Sequence, residues 1–307
     1  MVQLTVETAD LDKAPPYWAL PYVWGNPAIT ENLRLRGDVI KVTTNLAAVL
    51  GRIRQHCRQE GVAAETTYLW IDAICINQQD NVEKQAQVCL MGQIYSGAHK
   101  VIIWLCEESP QDKGVMSVIN KWTTATKAVM LLCKSEQKLS QDALSEMIIR
   151  VAIDERYGEA LTRDANPEPV RKIAALMARL YWTRAWILQE AALARSGLVL
   201  CGAEEARLED LWYALTTLRR ITYKLVAETG HVELDEAMAN TECTALEIAV
   251  GKNMSGEPVD MDDANKLRAA LDAAIQANNG WHIMCIANRT LRTPSSEDTA
   301  NVKALGC

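Results

Sequence analysis

The stretch Leu69-Trp-Ile-Asp-Ala-Ile-Cys-Ile-Asn-Gln78 decides the fold of this chain of 307 residues. Its apolar residues predict a strand from Leu69 to Ile76 that is buried on both faces, as strands are in parallel sheets. Asp72 places a carboxylate in that strand, and two amide side chains, Asn77 and Gln78, follow its end. Polar side chains at the carboxyl end of a buried strand are typical of ligand sites in open α/β sheets. We therefore expect a site at this edge of the sheet.

The segments around this stretch alternate between strand and helix patterns. They are a strand ending at Gly25, a hairpin over residues 33–43, a helix capped by Asn45, a helix begun by a capping box at Asp80 and Glu83, a fully apolar strand at Val101–Leu105 and a short strand at Leu198–Leu200. Such alternation implies an α/β core with right-handed crossovers.

Helical patterns also occupy two regions outside this core. Residues 107–175 predict a helical insertion, residues 174–194 carry one continuous helical pattern, and the chain from Leu208 onward is helical and acidic. We therefore predict an α/β domain over residues 1–205 that includes the insertion. A helical C-terminal extension over residues 206–307 is expected to pack on that domain.

Composition excludes several classes of protein. A net charge of −7 argues against a nucleic-acid surface, which would show basic stripes. The nine cysteines are scattered without a CxxC pair, so neither a zinc ribbon nor a disulfide framework is expected, and we expect no metal. The N-terminal sequence lacks a signal-peptide pattern, and no stretch of about 18 apolar residues predicts a membrane span. These features favour a cytoplasmic protein with reduced cysteines.

Four blocks of the sequence resemble, in the same order, the fungal heterokaryon-incompatibility (HET) domain. The blocks are Tyr17-Trp-Ala-Leu-Pro-Tyr-Val-Trp-Gly25, then Leu69 to Gln78, then Gln87-Val-Cys-Leu-Met-Gly-Gln-Ile-Tyr95 with Val101–Leu105, and finally Arg184-Ala-Trp-Ile-Leu-Gln-Glu190. The resemblance implies a role in the cell death that follows non-self recognition between fungi.

The order of these patterns also resembles the TIR fold. That resemblance implies a flavodoxin-like, mostly parallel sheet flanked by helices, with aromatic residues Tyr22 and Trp24 at the end of the first strand and Asp72 on the second. In TIR enzymes, the glutamate of a Trp-x-x-x-Glu pattern serves in cleaving the nicotinamide–ribose bond of NAD. Trp186 and Glu190 match that pattern here, so the resemblance makes Glu190 the candidate catalytic carboxylate.

Helical spacing gives an independent argument for Glu190. On one continuous helix, Glu190 borders an apolar face that carries Trp182 and Trp186, while Arg184 falls on the opposite side. A carboxylate beside indole rings is desolvated, and desolvation raises its pKa and suits it to proton transfer or to stabilising a cationic sugar. The competing interpretation is a glutamate that reaches solvent or pairs with a buried arginine.

The other candidate residues also carry two interpretations each. Asp72 would bind ribose and act as a second catalytic carboxylate, or would cap a neighbouring helix or hold Asn45 or Arg52 in place. Asn77 and Gln78 would present amides to a ligand or close the turn before the next helix. The expected substrate-binding set is Tyr22, Trp24, Gly25, Asn77, Gln78, Arg184 and Trp186. Tyr22, Trp24 and Gly25 would form an aromatic wall with a close-approach loop, or core aromatics with a turn glycine.

Three functions remain open at this point. We favour an enzyme that cleaves the N-glycosidic bond of NAD or a related nucleotide, in which NAD is the substrate and no other cofactor is expected. The first alternative is a fungal secondary-metabolite enzyme, a cyclase, dehydratase or isomerase, that uses Glu190 and Asp72 as general acid and base. The second is a non-catalytic domain that assembles with copies of itself, in which Glu190 is exposed or salt-bridged with no pocket beside it.

Overall fold

One mixed sheet of nine strands organises the described part of the chain. The computed structural model describes residues 2–63, 67–135, 168–184, 186–215, 217–218 and 301–306. The strands are β1 Gln3–Asp10, β2 Tyr17–Ala19, β3 Thr30–Leu35, β4 Asp38–Thr43, β5 Tyr68–Trp70, β6 Lys100–Trp104, β7 Gly197–Cys201, β8 Glu204–Arg207 and β9 Asn301–Gly306. Their spatial order is β4-β3-β1-β9-β5-β2-β6-β7-β8. The α/β class predicted from the sequence is confirmed.

Helices connect and cover these strands. They are α1 Thr44–Glu60, α2 Asp72–Cys75, α3 Asn81–Gly97, α4 Val115–Ser135, α5 Glu168–Met177 and α6 Ile187–Ala192, with 3-10 turns at Leu11–Lys13 and Leu180–Thr183. Residues 208–215 are also helical. None of the helices in the described residues is both long and apolar enough to cross a membrane.

The parallel part of the sheet is its centre. Strands β5, β2, β6 and β7 run parallel to one another in that spatial order, and the apolar residues of β6 are buried on both faces. The outer pairs are mostly antiparallel, so four of the eight strand pairs are parallel and four are antiparallel. The sheet is therefore mixed, where a mostly parallel sheet was predicted, because two hairpins and β9 add antiparallel pairs to the parallel centre.

The hairpin predicted around Gly37 and Asp38 is confirmed as β3 and β4. Arg36 and Gly37 form its two-residue loop, and both have positive φ, at 53° and 93°. Two successive positive φ angles are the geometry of a type I′ turn, which matches the twist of the flanking strands. The buried Leu33 and Val42 fasten the hairpin to the core.

The stretch that was expected to be one long strand changes conformation at Asp72. Strand β5 ends at Trp70, and Asp72 begins the short helix α2, in which Ile76 N donates to Asp72 O at 3.2 Å. The prediction of a strand to Ile76 is therefore wrong. The Asp72 carboxylate accepts the N–H of Ala73 at 2.7 Å, and a carboxylate in the first turn of a helix is favoured by the free N–H groups there. Asp72 accordingly follows the strand and lies at the carboxyl edge of the sheet.

Residues 174–194 do not form the continuous helix that their periodicity predicts. Helix α5 ends at Met177, a 3-10 turn follows, and the backbone is extended at Arg179 and Arg184 before α6. Both arginines bind carbonyl oxygens of other segments, Arg179 those of Leu105 and Glu107, and Arg184 that of Tyr22. These long-range hydrogen bonds override the local helical pattern.

Other boundaries also differ from the sequence prediction. Thr43, rather than Asn45, caps α1, and its hydroxyl accepts the N–H of Leu46. Asn45 lies within the helix and accepts the indole N–H of Trp104 at 2.7 Å, so it ties α1 to β6. Strand β9 occupies residues 301–306, where a helical pattern was predicted. Residues 136–167 of the predicted insertion and residues 219–300 of the predicted extension lie outside the described residues.

The loop after β2 depends on the glycine at position 25. Gly25 has φ +78°, which side-chain-bearing residues rarely adopt, although a Cβ there would meet only Asn45 Cβ, at 3.5 Å. We therefore expect Gly25→Ala to lower the free energy of unfolding by about 1 kcal/mol through backbone strain alone. Gly51→Ala is the matched control, because Gly51 lies in α1 with nothing near its Cβ and should stabilise by about 0.5–1 kcal/mol. Urea unfolding measures both, and equal effects would contradict the assignment.

Candidate ligand cavity

A cavity of about 610 Å³ opens at the carboxyl ends of β2 and β5. Its walls come from the loop after β2, from α2 and the turn after it, from α3, and from the segment before α6. The lining residues are Tyr22, Val23, Trp24, Asp72, Ile76, Gln78, Asn81, Lys84, Gln85, Val88, Met91, Arg184 and Trp186. Small-molecule sites occupy about 300–1,000 Å³, so the cavity has the size of a ligand site.

The sheet topology explains the position of the cavity. Strand β2 lies between β5 and β6, which follow it in the chain, so the strand order reverses at β2. In open α/β sheets, ligands bind outside the carboxyl ends of the strands at such a reversal, because the connections on either side diverge there. Tyr22 pairs with Trp104 in an isolated parallel bridge, which holds the loop after β2 against β6.

Among the described residues that line this cavity, Asp72 presents the one acidic side chain. Its Oδ2 accepts the indole N–H of Trp24 at 2.9 Å, and its Oδ1 accepts the N–H of Ala73 at 2.7 Å. Burial raises the pKa of Asp72, and the two hydrogen bonds and the nearby Arg184 guanidinium offset part of that rise. The carboxylate is therefore held in a fixed orientation and is poorly solvated.

Arg184 joins the cavity to a carboxylate behind it. Its Nη1 donates to Tyr22 O at 2.6 Å, and its Nη2 donates to Glu190 Oε1 at 3.1 Å. The guanidinium also lies 5.6 Å from the ring centroid of Tyr181. The side chain is 23% exposed and lines the cavity, whereas that of Glu190 is fully buried.

Glu190 lies behind Arg184, outside the cavity wall. Its Oε1 pairs with Arg184 at 3.1 Å. Burial raises the pKa of Glu190 to about 7, against the lowering effects of the Arg184 guanidinium and of the Tyr181 hydroxyl. The expectation that Arg184 lies on the opposite side of a helix from Glu190 is wrong, because the helix is interrupted and Arg184 precedes α6 in extended conformation. Glu190 is thus salt-bridged, with the cavity on the far side of its partner.

The structure brings together six of the nine site residues named from the sequence. Those that line the cavity are Tyr22, Trp24, Asp72, Gln78, Arg184 and Trp186. Gln78 donates its side-chain N–H to Asp72 O at 3.0 Å, so it also braces α2. Asn77 closes the turn before α3, where its Oδ1 accepts the N–H of Gln79. Asn77, Gly25 and Glu190 do not line the cavity.

One wall of the cavity was not anticipated. Five residues on one face of α3 line it, namely Asn81, Lys84, Gln85, Val88 and Met91. Each of them is three or four residues from at least one other in the set, which places them on the same side of a helix. This spacing is visible in the sequence, directly after the stretch that contains Asp72. The helix itself was predicted from its capping box, but none of its residues was named as part of a site.

A histidine and two glutamates form a group of metal-ligand type elsewhere. Ligand atoms of His56, Glu60 and Glu205 lie within 4.8 Å of one another. The buried Arg52 already donates to Glu205 Oε2 at 2.5 Å, and His56 Nδ1 lies 3.1 Å from the same oxygen. An arginine bound to the carboxylate opposes a divalent cation by charge repulsion. The group is better described as a partly buried ion pair between α1 and β8.

The raised pKa of Glu190 predicts a pH-dependent stability. The folded state holds this proton up to about pH 7, whereas an unfolded glutamate releases it near its ordinary pKa of 4.5. The stability from this group is therefore fully present below pH 4.5 and is lost as pH rises through 7. The free energy of unfolding of Glu190→Gln, minus that of wild type, should therefore rise by about 2–3 kcal/mol from pH 5 to pH 8. Urea unfolding at both pH values measures this, with the exposed Glu31→Gln as control, and a pH-independent difference would contradict it.

Comparison with known proteins adds two findings. A family model described as Heterokaryon incompatibility protein (HET) matches residues 17–190. Heterokaryon incompatibility protein 6, OR allele, from Neurospora crassa is 30% identical over an alignment of 214 residues, which covers 64% of this chain and 30% of that protein. The part of this chain that matches thus spans 30% of the length of that relative. No solved structure matches.

Proposed function

Because this chain belongs to the heterokaryon incompatibility (HET) family, we propose that its cavity cleaves the N-glycosidic bond of NAD or a related nucleotide. The cleavage would serve fungal incompatibility, the process named in its Neurospora crassa relative. The observation that carries the proposal is the position of Asp72. Its desolvated carboxylate lines the cavity, with both oxygens oriented by hydrogen bonds.

The chemistry of the bond explains why such a carboxylate is useful. When the bond between ribose C1′ and the pyridinium nitrogen breaks, the electron pair goes to that nitrogen, and the ribose acquires oxocarbenium character. A water adds to C1′ and loses a proton, which gives nicotinamide and ADP-ribose. A preorganised carboxylate in a poorly solvated site stabilises the positive charge that develops on the sugar. We assign that role to Asp72.

The aromatic residues of the cavity suit a flat ring. Tyr22, Trp24 and Trp186 line it together, and Trp24 is 40% exposed. Aromatic side chains stack on planar rings and gain about 0.5–1.5 kcal/mol beyond the burial of area. Trp24 also donates to the Asp72 carboxylate, so a ring stacked against Trp24 would lie close to that carboxylate.

The strand order supports the resemblance to TIR enzymes. Numbered along the chain, the central parallel strands β2, β5, β6 and β7 lie in the order second, first, third, fourth, which is the beginning of the flavodoxin-like order. The proposal departs from that resemblance at Glu190. Because Glu190 is fully buried behind Arg184, we assign it the role of orienting Arg184, and we assign contact with the substrate to Asp72.

The proposal is tested by incubating the purified protein with NAD and separating the products by chromatography. We expect nicotinamide and ADP-ribose in equal amounts, at a rate proportional to protein concentration and unchanged in Glu31→Gln, whose side chain is exposed on β3. A folded wild-type protein that releases no nicotinamide would contradict the proposal. The small-molecule chemistry considered from the sequence would then be the next reaction class to test in the same cavity.

A further inference from the structure

The cavity wall formed by α3 is graded from polar to apolar. Asn81, Lys84 and Gln85 are exposed, Val88 is half-buried, and Met91 is only 5% exposed. All five side chains line the cavity. The N-terminal end of α3 therefore forms the mouth of the cavity and Met91 forms its floor. A ligand that fills the cavity would therefore contact apolar groups at the floor and polar groups at the mouth.

The cationic side chains Arg184 and Lys84, which both line the cavity, differ in whether they already bind acceptors of the protein. Arg184 is engaged by Glu190 and by Tyr22 O. Lys84, by contrast, makes no ion pair with any carboxylate in the described parts of the chain, and its side chain is exposed at the mouth. An ammonium group in that position is available to an anionic part of a ligand. A hydrogen bond between charged groups contributes more than one between neutral groups, and Lys commonly serves as a phosphate-binding point charge.

The length of the wall fits a particular ligand shape. At 1.5 Å of rise per residue, Lys84 and Met91 are separated by about 10 Å along the helix axis. A planar base at the floor, joined through a ribose to a 5′-phosphate, spans a comparable length. Ile76, Val88 and Met91 supply apolar contacts for the base, and the Asp72 carboxylate lines the cavity beside them, where the ribose would lie.

We infer that the cavity selects 5′-phosphorylated nucleotides over nucleosides, with the base at the Met91 floor and the phosphate bound by Lys84 at the mouth. This inference rests on the proposed function, because it takes the ligand to be a nucleotide, and it names the group that the mouth recognises. Lys84 is a specificity-determining residue in this scheme. It contacts the phosphate and takes no part in breaking the glycosidic bond.

The test compares nicotinamide mononucleotide with nicotinamide riboside, which differ only in the phosphate. Binding is followed by quenching of tryptophan fluorescence, because Trp24 and Trp186 line the cavity, and chromatography of the same samples measures any cleavage, so that only intact probe is counted as ligand. At low ionic strength we expect wild type to bind the phosphorylated probe about 10-fold or more tightly. Lys84→Gln should abolish that preference and Lys84→Arg should retain most of it. Lys41→Gln, at an exposed position of β4, should leave it unchanged.

Two results would overturn the inference. One is equal binding of both probes, or binding of neither, by wild type. The other is a preference for the phosphorylated probe that survives in Lys84→Gln. These results are distinguishable from failure of the proposed function. Phosphate-dependent binding without release of nicotinamide from NAD would contradict the proposed cleavage and leave this inference standing. Cleavage of NAD together with equal binding of the two probes would contradict this inference and leave the proposed cleavage standing.

Discussion

Replacing Arg184 by alanine is expected to lower the free energy of unfolding by about 3–5 kcal/mol at pH 8. The reason is that Glu190 is fully buried and Arg184 is its ion-pair partner, at 3.1 Å. Without the guanidinium, Glu190 would have to take up a proton from solvent at pH 8 or stay ionised in the core with no compensating charge, and Tyr22 O would lose its donor. The loss should be smaller at pH 5 by about 1 kcal/mol, because Glu190 then holds a proton in both folded proteins, whereas at pH 8 the ionised form is stabilised by Arg184 in wild type alone.

A double variant separates this explanation from simple loss of packing. Arg184→Ala combined with Glu190→Gln removes both charges, so it should recover a large part of the stability lost in Arg184→Ala at pH 8. Arg54→Ala is the matched control, because Arg54 is exposed on α1, and its effect should stay within about 0.5 kcal/mol. Urea unfolding of the four proteins at pH 5 and pH 8 measures the set. A loss from Arg184→Ala that is equal at both pH values and not recovered in the double variant would contradict the buried pair.

Replacing Asp72 by asparagine is expected to reduce the rate of nicotinamide release from NAD by about 100- to 1,000-fold. Asparagine retains an oxygen that accepts the N–H of Ala73 or of Trp24, so the start of α2 should be preserved. What it removes is the negative charge that faces the ribose in the proposed mechanism. The loss should therefore appear in kcat, with KM little changed, because the charge stabilises the transition state more than the bound substrate.

The stability of the same variant provides a check on that interpretation. Burial raises the pKa of Asp72, so removing its charge relieves a desolvation cost in the fold. At pH 8, the urea concentration at the midpoint of unfolding should thus be at least as high for Asp72→Asn as for wild type, while the activity falls. An inactive variant that is also strongly destabilised would instead indicate that Asp72 serves mainly to begin α2.

Several elements could be predicted from the sequence because their signals are local. The hairpin of β3 and β4 followed from Gly37 and its flanking alternation, and α3 followed from Asp80, whose carboxylate caps it. The edge of the sheet at which the cavity lies followed from Asp72 and Gln78 near the end of a buried strand. In each case the residues that carry the signal are within a few positions of the element they determine.

The remaining features depend on contacts between distant segments. Arg184 binds a carbonyl 162 positions away in the chain, and this contact ends a helical pattern that periodicity alone would continue. The same contact places Glu190 behind Arg184, which a helical projection could not indicate. Strand β9 pairs with β1 and β5 near the other end of the chain, so its pairing also depends on long-range geometry.

The central claim is that Asp72, and not Glu190, faces the substrate. The most direct test is single-turnover release of nicotinamide from NAD by Asp72→Asn and Glu190→Gln, measured side by side with wild type on correctly folded protein. We predict that Asp72→Asn loses about 100-fold or more, whereas Glu190→Gln loses about 10-fold or less, because it retains an acceptor for Arg184. A larger loss from Glu190→Gln than from Asp72→Asn would contradict the claim and make Glu190 the group that acts on the substrate.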